Sequence, residues 1–277
     1  MISGTTKIIG HLGFPTESFR APMIYNPYFE REAIDAVVVP LGCRSEDYPE
    51  FMKLFFRLSN SHGALVTMPH KVTTAAIVDT LSPVAAIAGS CNAIRRDGDG
   101  RLIGEMFDGE GFVRGMLRKG HAIQGRRALV VGSGGVGSAI AASLAQAGAS
   151  MLGLFDAEGA VANGLGARLL AHYPALQIKT GLNDPAGFDI VVNATPLGMR
   201  DGDPLPVDVS RIAATTFVGE VVMKREVTAF LAAARERGCS TQVGTDMLFE
   251  QIPAYLEFFG FPSTTADDLR SVAKLSM

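Results

Sequence analysis

Residues 128–149, ALVVGSGGVGSAIAASLAQAGA, predict a buried strand, a glycine-rich turn and a helix in succession. The apolar residues 128–131 are typical of a buried strand, and the alanine-rich segment after the turn favours a helix. Between them, Gly132, Gly134 and Gly137 have the spacing GxGxxG. In that pattern the first glycine allows a tight turn, the second lets the backbone approach a pyrophosphate, and the third lets helix pack on strand. The stretch therefore predicts a dinucleotide-binding loop whose phosphates lie on helix N-terminal N–H groups.

A second apolar run, SMLGLFD, ends on Asp156. A carboxylate that binds the adenosine ribose is expected about 20 residues after the loop, which is where Asp156 falls. The alternative is that Asp156 caps the helix that follows. The strand, the loop and the carboxylate together favour the ribose-binding interpretation.

The bulk composition indicates a protein that acts on small molecules. The chain has 277 residues, a net charge of −3 and a hydrophobic content of 47%, with a pI near 6.0. It therefore has ample apolar material for two cores and no general attraction to nucleic acid or to anionic membranes. Cys43, Cys91 and Cys239 lie far apart without a CxxC or metal-ligand spacing, which predicts buried thiols in a reducing cytosol and no metal. No signal peptide or transmembrane segment is indicated, so we expect a cytoplasmic protein.

The order of apolar runs predicts an α/β protein of two domains. Runs at 7–13, 36–42 and 63–69, separated by helix-length segments, have the βαβα rhythm of a parallel sheet, and a hairpin pattern follows. We predict a catalytic domain of residues 1–108, completed by C-terminal helices at 245–277. Residues 109–244 are predicted to form a doubly wound Rossmann domain. Its six strands are expected at 127–132, 150–156, 176–180, 188–193, 215–221 and 240–244.

A candidate proton-transfer group follows the third strand of the first domain. The turn VTMPHK at 66–71 presents Thr67, His70 and Lys71 at the carboxyl end of that strand, where substrates of such sheets bind. A lysine there can act as general acid and base if its surroundings bring its proton affinity toward neutrality, and Asp108 is a plausible partner. From position alone, a solvated surface lysine is the more ordinary interpretation of Lys71, and His70 fits a polar residue at a helix start.

Six segments in order along nearly the whole chain resemble the shikimate dehydrogenase family. They are VTMPHK, AIAGSCNAI at 86–94, EMFDGEGF at 105–112, the GSGGVG loop, NATPLGM at 193–199 and GTDMLFEQ at 244–251. The resemblance implies a catalytic domain joined to a Rossmann domain, with hydride exchanged between a nicotinamide cofactor and the 3-hydroxyl of shikimate or quinate. It thereby implies a role in the shikimate pathway of aromatic amino acid biosynthesis.

The resemblance also implies roles for individual residues. Lys71 would handle the hydroxyl proton with Asp108 as its partner, while Thr67, Asn92 and Gln251 would hydrogen-bond the ring hydroxyls. Further cofactor contacts are implied along the loop and toward the nicotinamide end. These residues are Ser133, Gly135, Val136, Thr195, Pro196, Val221 and Gly244.

The substrate carboxylate site departs from the family pattern. Phe19 and Ala21 stand where the family has two serines, and Leu65 replaces an asparagine. Met223 stands where a tyrosine is usual. Two lost hydrogen bonds to a charged group cost about 1.5 to 3 kcal/mol each, so we hypothesise that shikimate is a poor substrate. Ser18 or Arg20 could compensate, although a solvent-facing arginine at a helix start is the more ordinary interpretation.

The cofactor expected from the sequence is NAD. NADP-using members of the family carry a basic residue after the second strand, whereas here the sequence is FDAEG, in which Asp156 and Glu158 would repel a 2′-phosphate. The first hypothesis is thus an NAD-dependent dehydrogenase, monomeric or homodimeric, whose substrate is shikimate, quinate or an analogue. The second is a catalytically idle NAD-binding sensor with the same fold, suggested by the altered carboxylate site.

Overall fold

The computed structural model describes residues 2–275, which form two compact units. The first unit takes the chain up to Phe107 and again from Ile252 onward, and the second is Asp108–Gln251. The strands are β1 (Lys7–Gly13), β2 (Ala36–Gly42), β3 (Ser61–Val66), β4 (Thr80–Leu81), β5 (Ala93–Arg96), β6 (Leu102–Glu105), β7 (Arg127–Val131), β8 (Met151–Phe155), β9 (Gln177–Thr180), β10 (Ile190–Asn193), β11 (Phe217–Glu220) and β12 (Ser240–Gln242). The helices are α1 (Pro22–Arg31), α2 (Tyr48–Phe55), α3 (Lys71–Ile77), α4 (Pro83–Ala88), α5 (Asp108–Arg118), α6 (Gly135–Gln146), α7 (Gly159–His172), α8 (Ala229–Glu236), α9 (Gly244–Glu250), α10 (Ile252–Phe258) and α11 (Ala266–Val272).

The first unit is built on a mixed six-stranded sheet. Its order is β2-β1-β3-β5-β6-β4, in which β1 runs parallel to β2 and β3, and the hairpin β5–β6 runs antiparallel. One face of the sheet is covered by a cluster of buried side chains that includes Leu12, Met52 and Phe55. Parallel strands leave their carboxyl ends at a common edge, so the segments after β1 and β3 lie together.

The second unit is a doubly wound parallel sheet. Its order is β12-β11-β10-β7-β8-β9, with every pair parallel. Counted along the chain from β7, this is the order 3-2-1-4-5-6 of dinucleotide-binding sheets, and the order reverses between β7 and β10. The four inner strands are largely apolar because helices cover both faces, whereas the edge strands β9 (QIKT) and β12 (STQ) carry polar residues. The predicted α/β fold class with a Rossmann domain is confirmed by this architecture and by its likeness to solved structures reported below.

Three boundaries differ from the sequence expectations. The segment DMLFEQIPAYLEFFG, which lies within the predicted C-terminal helices, forms α9 and α10 separated at Gln251. The first of these packs on α5 within the second unit, where a Cβ on Gly111 would lie 2.6 Å from the Met247 carbonyl oxygen and Lys119 Nζ lies 3.2 Å from the Asp246 carboxylate. Residues 245–251, which were expected to complete the first domain together with the other C-terminal helices, therefore belong to the second unit. Asp108, predicted as the last residue of the first domain, begins α5 and the second unit.

Side-chain capping marks the starts of α4, α8 and α11. Ser82 accepts a hydrogen bond from the Ala85 N–H at 3.1 Å, and Pro83 occupies the first position of α4. The two-residue strand β4 just before this cap was not predicted, because its apolar pattern is too short to be distinguished from the preceding helix. Across residues 2–275, no helix combines the length and the apolar character that crossing a bilayer requires.

Candidate active site

The glycine loop of the second unit has the shape that a pyrophosphate requires. Gly132 has a φ of 99°, and a Cβ there would lie 2.7 Å from the Ala194 carbonyl oxygen. A Cβ on Gly137 would lie 1.9 Å from the Gly132 carbonyl oxygen, so neither position admits a side chain. Gly134 and Gly135 have nothing within 4 Å of an added Cβ, and no side chain caps α6. Open space thus faces the first turn of a helix, which fits an anionic group.

Asp156 is engaged by the backbone of its own unit. Its Oδ2 accepts a hydrogen bond from the Ser133 N–H at 2.7 Å, and its Oδ1 accepts one from the Glu158 N–H at 3.0 Å. The first bond ties the glycine loop to the end of β8, and the second closes the turn before α7. The carboxylate therefore shapes the loop and the following turn, which is close to the capping alternative considered for this residue.

The remaining predicted cofactor residues lie at the carboxyl edge of the second sheet. Thr195 follows β10, and its N–H and hydroxyl both donate to Asn193 Oδ1, at 3.1 and 2.6 Å. Val221 follows β11, where its N–H donates to the Asn193 carbonyl at 3.2 Å. Gly244 begins α9 after β12, and a Cβ there would lie 2.2 Å from the Val222 carbonyl oxygen. Within the loop and turn, Ser133 is buried, Val136 is half-buried and Pro196 is exposed.

In the first unit, backbone hydrogen bonds gather three predicted residues at the carboxyl edge of the sheet. The Thr67 N–H donates to the Leu12 carbonyl at 2.9 Å, so the turn after β3 lies against β1. Lys71 begins α3, and its carbonyl accepts from the Cys91 N–H at 3.0 Å. The next residue, Asn92, is 1% exposed, and its Oδ1 accepts from the Phe107 N–H at 2.9 Å. Thr67, Lys71 and Asn92 are thus held by one set of neighbouring backbone segments.

The positions that depart from the family pattern lie beside this edge. Phe19 is buried, and its ring stacks on His11 with centroids 4.1 Å apart and an interplanar angle of 28°. Leu65 is the register partner of His11 on β3 and is also buried. Ser18 and Arg20, the residues considered as compensating groups, are exposed.

The other family-implied residues belong to the second unit. Asp108 is 5% exposed on the first turn of α5, and Gln251 is 8% exposed at the end of α9. The two helices meet at Gly111, where an added Cβ would lie 2.8 Å from the Gln251 Cβ. Gln251 Oε1 is buried without a hydrogen-bond partner among the described residues. Met223, expected near the substrate, is 45% exposed. The pairing of Lys71 with Asp108 stays a prediction.

The sequence analysis gave no role in the site to the buried residues His11 and Glu220, and only a weak one to His70. Burial, and secondarily the charge of Lys71, lowers the pKa of His11 to about 4. Burial raises the pKa of Glu220, at the end of β11, to about 7. His70 is stacked on Tyr48 with centroids 3.9 Å apart and bonded to the Cys43 carbonyl at 2.8 Å, so it serves the packing of α2 against α3. The signal for His11 was a polar residue inside an apolar strand.

Comparisons with known proteins agree with the motifs. The family described as shikimate dehydrogenase substrate binding domain matches residues 12–94, and the glutamate/leucine/phenylalanine/valine dehydrogenase family matches residues 110–196. The shikimate dehydrogenase (NADP(+)) of Rubrobacter xylanophilus is 36% identical, over 90% of this chain and 89% of its own. That of Rhodospirillum rubrum is 32% identical over 98% of both chains. The shikimate 5-dehydrogenase of Listeria monocytogenes, solved with shikimate and NAD, is 26% identical, with a TM-score of 0.90 over 98% of this chain and 97% of that one.

The prediction of NAD as cofactor is wrong. The relatives with the higher sequence identities are named for NADP(+), which points to NADP rather than NAD. The prediction rested on Asp156, whose two carboxylate oxygens accept hydrogen bonds from the backbone N–H groups of Ser133 and Glu158. Its place after the second strand is thus explained by loop geometry without a ribose contact.

Proposed function

We propose, since the chain belongs to the shikimate dehydrogenase family, that it is an NADP-dependent dehydrogenase acting on a ring hydroxyl of a shikimate-like or quinate-like compound. The observation that carries the proposal is the convergence of Thr67, Lys71 and Asn92 at one edge of the first sheet. Those residue types supply a proton-transfer group and two hydrogen-bonding partners for a polyol.

Lys71 is the proposed proton-transfer residue. A hydride leaves carbon readily only as the hydroxyl proton leaves oxygen, so a base within hydrogen-bond reach is required. The Lys71 carbonyl is anchored by the Cys91 N–H, which fixes the start of α3. In the reverse direction the same amine returns the proton. By family position, Asp108 is its partner, and Asn92, Thr67 and Gln251 orient the ring hydroxyls.

The glycine loop is proposed to hold the cofactor. NADP, when bound, supplies the hydride acceptor. The helix-start N–H groups beyond Gly134 bind its pyrophosphate, since no side chain caps them. The segments at Thr195, Val221 and Gly244 lie along the same carboxyl edge and line the rest of the cofactor.

The substrate is proposed to differ from shikimate at or near the carboxylate. Phe19 fills the place of one serine with a ring stacked on His11, and Ala21 begins α1 without a side-chain cap. Two hydrogen-bonding groups for a carboxylate are thereby missing. Lys71, Asp108, Asn92 and Gln251 are all kept at their family positions, which supports an active enzyme over an idle sensor.

The proposal is tested by following NADPH absorbance with a panel of shikimate, quinate and uncharged analogues, each with NADP and with NAD. We expect turnover with NADP, and Lys71→Met should lower kcat/KM by 10²- to 10⁴-fold, the usual contribution of a proton-transfer residue. Lys53→Met is the control, because Lys53 is an exposed lysine of the same unit. Unchanged activity in Lys71→Met would refute the mechanism. A preference for NAD would refute the cofactor assignment, and a kcat/KM for shikimate of about 10⁴ M⁻¹s⁻¹ or more would refute the altered specificity.

A further inference from the structure

His11 is a polar residue in the middle of an apolar strand. It lies on β1 and is 9% exposed. Its Nδ1 is buried and has no hydrogen-bond partner among the described residues. A buried polar atom without a partner opposes folding, so such an atom is retained where a ligand or water supplies the partner.

The surroundings of His11 place it in the candidate substrate site. Successive residues of a strand alternate faces, so His11 and Gly13 share one face of β1, and Leu65, the β3 register partner of His11, lies beside them. A Cβ on Gly13 would lie 2.5 Å from Thr67 Cγ2 and 2.8 Å from Phe19 Cζ. His11, Phe19, Leu65 and Thr67 are therefore one continuous patch.

The patch reaches the proposed proton-transfer residue. Burial lowers the pKa of the His11 imidazole to about 4, and the positive charge of Lys71 contributes to this shift. The ring is therefore neutral at pH 7, with one nitrogen that donates and one that accepts. Leu65 replaces the asparagine of the family pattern, and His11 on the adjacent strand thus supplies a polar group beside that position.

We propose that His11 is a specificity-determining residue whose Nδ1 hydrogen-bonds an uncharged hydroxyl or carbonyl group of the substrate. This rests on the proposed function and names its substrate class, a cyclic or open polyhydroxylated alcohol or ketone without a carboxylate at that end. The apolar rings and chains of Phe19 and Leu65 supply no hydrogen bond to an anion, and a buried carboxylate needs several such bonds or a cation. A hydroxyl or carbonyl group is satisfied by the single imidazole.

The experiment uses three compounds that differ only at one group: shikimate, its carboxamide, and the primary alcohol obtained by reducing its carboxyl group. With the full-length enzyme and NADP, we expect kcat/KM to be at least tenfold higher for the two uncharged compounds. His11→Leu should raise KM for the alcohol about tenfold, equivalent to about 1.4 kcal/mol, with kcat changed less than twofold. His11→Asn should restore part of the loss, because an amide can donate and accept.

Thermal unfolding separates this role from a structural one. Because Nδ1 has no partner within the described residues, His11→Leu should leave the Tm unchanged or raise it, whereas loss of a structural contact would lower it. Three results would each overturn the inference: a preference for shikimate, an unchanged KM in His11→Leu, or a Tm that falls together with activity. None of them contradicts the proposed function, as long as turnover depends on Lys71. If no compound is oxidised, the proposed function fails first. Calorimetric binding of the alcohol to wild type and His11→Leu then decides the inference, and equal affinities overturn it.

Discussion

Glu220 is expected to make the stability of the protein depend on pH near neutrality. It ends β11 with no exposed surface. One carboxyl oxygen accepts a hydrogen bond from the Thr228 hydroxyl at 2.8 Å, and the other has no partner among the described residues. Burial raises its pKa from an ordinary 4.5 to about 7, against the opposing effect of hydrogen bonds from Thr228 and Asn193. The folded protein therefore holds a proton that the unfolded chain has already lost.

The sign and size of the effect follow from that difference. Between pH 4.5 and 7 the native state binds more protons than the unfolded state, so the free energy of unfolding falls as pH rises. The stability is complete below the unfolded pKa and is lost as the pH passes the folded pKa. A difference of about 2.5 in pKa, at about 1.36 kcal/mol for each unit, gives roughly 3 kcal/mol as the full effect.

Replacing Glu220 by glutamine removes the ionisation and keeps an acceptor for Thr228. We expect Glu220→Gln and wild type to have similar urea midpoints at pH 5, and the variant to be more stable by up to roughly 3 kcal/mol at pH 8. Circular dichroism at several pH values between these limits measures the difference. Glu236→Gln is the control, because Glu236 is an exposed glutamate in the same unit. Parallel curves for Glu220→Gln and wild type from pH 5 to 8 would refute the reasoning.

Three further outcomes are expected. Gly137→Ala should weaken NADPH binding more than tenfold in fluorescence titration, since its Cβ would lie 1.9 Å from the Gly132 carbonyl oxygen, whereas Gly164→Ala in α7, whose Cβ would meet only the Arg168 side chain at 3.5 Å, should change it little; equal effects would contradict the loop geometry. Cys91, whose pKa burial raises to about 12, should react with iodoacetamide at pH 8 only after unfolding, and rapid native labelling by mass spectrometry would count against its burial. Ser82→Ala should cost about 1 kcal/mol in urea unfolding, as loss of an N-cap does, and no loss would deny the cap of α4.

The strands of the second unit were predictable because parallel sheets impose a simple pattern. Each inner strand is covered on both faces, so its sequence is a largely apolar run between polar or glycine-rich turns, whereas the edge strands β9 and β12 are polar. β8, for example, was expected at 150–156 and spans Met151–Phe155. The glycines at positions 132 and 137 are required by the same geometry, because a side chain at either position would collide with the backbone.

The position of α9 could not be predicted, since it depends on a contact between segments far apart in sequence. The turn at Gln251 divides two apolar helices, and nothing in their periodicity says which unit either one joins. The choice follows from the close approach of Met247 to Gly111 on α5 and from the ion pair between Arg118 and Glu250. A glycine in an amphipathic helix is compatible with many neighbouring segments, so only the folded structure identifies α9 as the neighbour of Gly111.

Asp156 illustrates why a motif locates a side chain without assigning its hydrogen bonds. The spacing from the glycine loop correctly places a carboxylate after β8, and the same spacing suits a ribose contact or a loop anchor. The distances separate these uses, because the Ser133 N–H donates to one oxygen and the Glu158 N–H to the other. Hydrogen bonds to backbone N–H groups position the loop before any ligand arrives. An acidic residue at this place therefore indicates an ordered glycine loop. The choice between NAD and NADP depends on the groups that contact the ribose or its phosphate directly.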